Sequence, residues 1–84
     1  MVSSARVEQT SADPPSDALP LATLRRRKLL SQRELARIAG VALSTIYLLE
    51  AGKTERATYK VMRSVSGALG VAPEAIAEFS RTLD

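Results

Sequence analysis

Apolar residues recur at spacings of three and four along much of the chain, broken at short intervals by glycine or proline. That pattern predicts several short amphipathic helices and no strand. From about Asp17 onward a first helix carries Leu21, Leu24 and Lys28 at i, i+3 and i+7, with Pro20 compatible with its first turn. Ser31-Gln32-Arg33-Glu34 has the spacing of a capping box, so Ser31 caps a second helix and Glu34 reaches back to it. Leu35, Ile38 and Ala39 form the apolar face of that helix. Gly40 stops it, since glycine enters the left-handed region without Cβ strain. Val41 then reads as a buried turn residue. A third helix spans Leu43 to Glu50 with Ile46 and Leu49 facing inward, and Ala51-Gly52 closes it. Lys53 to Ala57 reads as a polar loop. Thr58 caps a fourth helix whose inward residues are Val61, Met62, Val65 and Leu69, ending at Gly70. Pro73 opens a fifth helix with Ile76, Phe79 and Leu83 on one face.

Residues 1–17 are rich in Ser, Thr, Ala, Asp and Pro, and Pro14-Pro15 excludes a helix there. The expected organisation is therefore a disordered tail over 1–17 and one domain over 18–84. At 84 residues the chain buries a modest core, so close helix packing, dimerisation or both should support it. The chain contains no Cys and no His. Disulfides and thiolate metal sites are thereby excluded, along with the usual metal ligand and the usual general base near neutral pH. No carboxylate pair stands in a recognisable catalytic arrangement. The reading is not an enzyme, with no cofactor and no metal. No apolar run nears the roughly 20 residues that span a bilayer. The opening MVSSARVEQTSADPP lacks the charged and apolar regions of a signal peptide. The expected setting is cytoplasmic, without membrane association.

Charge sharpens this picture. The net +3 of the chain hides a central segment, residues 20–72, with ten Lys or Arg against Glu34, Glu50 and Glu55, a net +7. The flanks, 1–19 and 73–84, each carry one Arg against three carboxylates, a net −2 apiece. Such segregation attracts polyanions through phosphate contacts, although a merely soluble basic surface has the same composition. Arg25-Arg26-Arg27-Lys28 falls near the end of the first helix, where cations also suit the helix dipole.

The second and third helices, joined at Gly40, carry the discriminating pattern. A steep crossing of two short helices needs a small residue at the contact, Ala36, and a flexible corner, Gly40. It also needs apolar anchors, supplied by Leu35, Val41, Ile46 and Leu49. At these residues the chain resembles the Cro/repressor-type helix-turn-helix family, also called the xenobiotic-response-element family. LSQRELARIAGVALSTIYLLEAGKT is similar to that family's central signature, and ALGVAPEAI to its ending. The resemblance runs from about Leu19 to Phe79. It implies a compact five-helix, lambda-repressor-like domain that binds double-stranded DNA, often as a homodimer, to regulate transcription.

The resemblance also implies roles. Gln32, at the head of the second helix, corresponds to a phosphate contact, and Arg25 to a partner of Glu50 that holds the fold together. Ser31, Glu34, Ala36 and Gly40 are structural. The third helix presents Ala42, Leu43, Ser44, Tyr47 and Leu48 for base reading, with Thr45 nearer the backbone. Lys53, Thr54 and Arg56 lie where the family contacts phosphates, with Arg33, Arg26 and Arg27 as further candidates. Many relatives carry Gln, Arg or Asn where this chain has Leu43, Tyr47 and Leu48. Leucine can meet only apolar base features such as the thymine methyl. Ile76, Phe79 and Leu83 are candidates for both core and dimer contact. The expected function is sequence-specific DNA binding by a prokaryotic or phage repressor, associated with the nucleoid through its DNA. The alternative is a protein-interaction adaptor, or an antitoxin-like partner, using the same fold on a protein partner.

Overall fold

Helix boundaries fall largely where capping chemistry puts them. The computed structural model describes residues 18–83, so the tail expected at 1–17 and residue 84 lie outside the described residues. Among the described residues five α-helices follow one another: α1 (Leu21–Arg27), α2 (Gln32–Ala39), α3 (Leu43–Glu50), α4 (Tyr59–Leu69) and α5 (Ala77–Leu83). One-turn 3-10 helices at Thr54–Arg56 and Pro73–Ala75 link α3 to α4 and α4 to α5. The Ser31 hydroxyl accepts from the Glu34 N–H at 3.0 Å, and the Glu34 carboxylate accepts from the Ser31 N–H at 2.8 Å. Both halves of the expected box are present. Thr58 caps α4 by accepting from the Val61 N–H at 3.2 Å.

The first four helices end alike. Just past each, one residue turns left-handed so that two N–H groups reach back to the last turn. Gly40, Gly52 and Gly70 fill that place after α2, α3 and α4. After α1 the residue is Leu29, at φ 59°, with its N–H on the Arg26 carbonyl at 2.9 Å and that of Leu30 on Arg25 at 3.2 Å.

Leu21, Leu35, Ile46, Leu49, Val65 and Phe79 are fully buried in a single core. α2 packs against both α3 and α4. Its buried stripe consequently runs through Leu35 and Ala36, with Ala39 half-buried beside them. Ile38 falls outside that stripe and is 55% exposed, contrary to the expectation that it faces inward. Val41 is half-buried rather than buried.

The C-terminal segment departs further from the periodic reading. Pro73 opens only a 3-10 turn, and Ile76 is extended, with φ −99° and ψ 119°. Ile76 pairs with Leu19 in an isolated parallel bridge: the Leu19 N–H donates to Ala75 at 3.0 Å, and the Ala77 N–H to Leu19 at 2.8 Å. The chain at Leu19 is thus extended, and α1 begins at Leu21 instead of near Asp17. Ile76 and Phe79 have no exposed surface. Both fill the core role expected of them, whereas Leu83 stays 42% exposed.

One core feature had no signal in the sequence. Pro20 precedes α1 and offers no capping side chain. The Glu78 carboxylate, from α5, accepts the Leu21 N–H at 2.8 Å instead. A residue 57 positions away therefore caps the first helix.

Candidate nucleic-acid interface

α2 and α3 meet at a corner whose backbone is set by Gly40, φ 75°. A Cβ there would meet no atom within 4 Å, so the conformation alone demands glycine. Ala36, only 4% exposed, lets the two helices approach.

A polar clamp then ties α1, α2 and α3 together. Arg25 is buried, and its guanidinium donates from Nε to Glu50 Oε2 at 2.7 Å and from Nη2 to Oε1 at 3.1 Å. Nη1 donates to the Leu30 carbonyl at 2.9 Å. The Gln32 amide donates to Glu50 Oε1 at 2.9 Å. A two-pronged guanidinium–carboxylate pair, with further hydrogen bonds from Nη1 to Leu30 and from Gln32 to Glu50, is the arrangement that offsets the cost of burying charge. Burial by itself would push the Glu50 carboxyl up. Hydrogen bonds from Arg25 and Gln32, with the charges of Arg25 and Arg26, outweigh it and hold the group below the usual carboxylate range. The Glu50 hydrogen bond in turn raises Arg25 further above its ordinary value, against the opposing effect of burial. The expected Arg25–Glu50 pair is present, and Gln32, expected only as a phosphate contact, joins it.

α3 is anchored by fully buried Ile46 and Leu49 and turns its other side outward. Ala42, its N-cap in extended conformation, is exposed, as is Ser44. Leu43 is 37% exposed and Tyr47 60%. Thr45 and Leu48 are half-buried. Leu48 lines an open groove with Lys53, Glu55 and Arg56, so it sits at the shoulder of the outward face instead of on it. The segment after α3, expected as a plain loop, contains the 3-10 turn Thr54–Arg56 and buries Ala57 to 7% exposure, which fixes Lys53 and Arg56 beside the shoulder. Arg26, Arg27, Lys28, Arg33, Lys53 and Arg56 are all exposed, and no carboxylate of the described residues forms a salt bridge with them.

A helix-turn-helix family model matches residues 21–76, from the start of α1 to the bridge residue before α5. The chain belongs to the Cro/C1-type helix-turn-helix family. Comparisons with curated proteins and with solved structures give no significant match. Membership makes this helix-turn-helix a DNA-binding, transcription-regulating domain, with DNA as its partner, in a family that is regulatory rather than typically catalytic. Among the described residues, no group of three His, Cys, Asp or Glu could hold a metal ion. No helix among them is long and apolar enough to cross a membrane.

Proposed function

We propose that the helix-turn-helix is a sequence-specific transcriptional regulator, a repressor, that lays α3 in the major groove of duplex DNA. The observation that carries this reading is the outward side of α3: Ala42, Leu43, Ser44 and Tyr47 stand exposed on a helix clamped from behind, with exposed Lys53 and Arg56 at its shoulder. A rigid helix face flanked by unpaired cations matches a groove between two phosphate walls. Phosphate contacts fall to Lys53, Thr54, Arg56, Arg33 and Thr45. Gln32 joins them through the amide hydrogen that Glu50 does not engage. As a homodimer the protein would meet two half-sites about one helical turn, roughly 34 Å, apart.

Titration of duplex DNA at several salt concentrations tests this. Binding should weaken steeply with salt, and Lys53→Ala should lower the slope of log affinity against log salt by about 1 while weakening all sequences alike. Absence of duplex binding at low salt would overturn the reading. The apolar character of Leu43 and exposed Ile38 favours a second reading, a regulator acting through a protein partner, which that outcome would bring forward.

A further inference from the structure

We infer that α3 reads thymine methyl groups, with Leu43 as the principal contact, rather than the hydrogen-bonding edges of guanine or adenine. The inference rests on α3 entering the major groove and names what it recognises there. The outward residues are Ala42, Leu43, Ser44 and Tyr47. None is Arg, Lys, Asn or Gln, so none can make the paired contacts that select guanine or adenine. Ser44 and Tyr47 each offer a single hydroxyl. Leu43 offers only methyl groups, and it stands at the N-terminal end of the helix, the end that contacts base edges in this docking geometry.

Two effects then act in the same direction. A thymine methyl is the apolar feature of the major-groove edge, and covering it with Leu43 removes apolar surface from water. Over a guanine, cytosine or adenine edge the same side chain would strip water from acceptors or donors and return no hydrogen bond. Selection for thymine is thus partly attraction and partly penalty. Geometry also sets a spacing. Leu43 and Tyr47 are four residues apart on one face, about 6 Å along the helix. That separation corresponds to about two base-pair steps, at roughly 3.4 Å each. The Tyr47 ring and hydroxyl therefore fall about two base pairs from the methyl under Leu43. Leu48, half-buried beside Lys53 and Arg56, lies at the rim of this surface.

The experiment uses duplexes recovered by selection from random sequence, with each thymine replaced singly by uracil. That change deletes only a methyl. In the wild type, one or more thymines per half-site should lose about fourfold in affinity on replacement, the scale of one buried methyl-sized group. In Leu43→Ala, the same replacement should become silent. Leu43 is partly exposed and outside the core, so the variant's helicity and melting temperature should match the wild type. A cytosine at the contacted position should be improved by 5-methylcytosine, which restores the methyl. Tyr47→Phe should cost less than the critical uracil. Tight binding of selected duplexes with uracil tolerated everywhere overturns methyl reading and leaves DNA binding intact. Equal uracil sensitivity in the wild type and Leu43→Ala also overturns the role of Leu43. Failure of the wild type to bind any duplex overturns both this inference and the reading it rests on.

Discussion

Leu29 occupies a left-handed position, at φ 59°, with 90% of its surface exposed. A side chain there costs roughly 1–2 kcal/mol relative to glycine's tolerance of that region, and the exposed isobutyl group recovers nothing from packing. The three equivalent helix ends use Gly40, Gly52 and Gly70. Leu29→Gly should therefore stabilise the domain by about 0.5–1 kcal/mol, after the extra freedom glycine gains in the unfolded chain is discounted. Thermal unfolding should show this as a rise of a few degrees. A melting temperature that is unchanged or lower would mean that Leu29 makes a contribution its exposure does not reveal. The sequence held no warning of this residue. The charge run Arg25–Lys28 and the Ser31 cap place the end of the first helix between them, but glycine is the residue that signals a left-handed turn, and none stands there.

At the scale of elements, the Arg25–Glu50–Gln32 clamp fixes α3 relative to α1 and α2, so loss of one partner strands a charge among buried neighbours. Glu50→Ala should destabilise by about 3 kcal/mol, the low end for a broken buried pair because side-chain exposures of 11% and 9% leave its edge near water. Replacing Arg25 and Glu50 together with Met and Leu should restore most of that loss. Denaturant unfolding of the single and double variants measures both, and additive losses would refute the coupling. The clamp also gives the domain an acid limit. The Glu50 carboxyl is held below its ordinary range, so its contribution is complete above the unfolded value, about 4.3, and is lost as pH falls through the folded value. Stability of the wild type should decline below about pH 4.3 more steeply than that of Glu50→Ala. Much of this architecture was legible beforehand. The capping box, the glycine stops and the Arg25–Glu50 pairing depend on short motifs or on a family pattern. Ile38 was misread because periodicity gives a stripe but not its centre, which here is set by where α3 and α4 cross α2. Ile76 was misread because helical spacing persists through Pro73–Leu83 although the backbone turns extended at its middle.

At the scale of the whole molecule, a single fully buried aromatic ring, Phe79, joins α5 to the core. Phe79→Ala should cost about 3–5 kcal/mol, a large share of what a domain of this size possesses. Loss of cooperative melting near ambient temperature would be the expected readout, and a near-native melting curve would contradict the burial. Leu83 behaves differently because it lines a groove with Tyr59, Met62 and Pro73, edged by Arg63 and Glu74, and remains 42% exposed. If two copies associate through that groove, sedimentation of the wild type should show a dimer at tens of micromolar (roughly, since mass action sets the range). Leu83→Glu should then yield a folded monomer. A wild-type monomer at that concentration would remove the groove as a dimer contact. The closure of Leu19 and Leu21 upon Ala75, Ala77 and Glu78 has its own consequence, for the order in which the protein assembles. Capping, turning and packing of α2 through α4 depend on residues near one another in sequence, and such contacts form early. α1 instead waits for a carboxylate 57 residues downstream. During synthesis α1 emerges ahead of α2 to α5 yet is among the last of them to be secured, and the Leu21 amide should exchange its hydrogen only when α1 and α5 part.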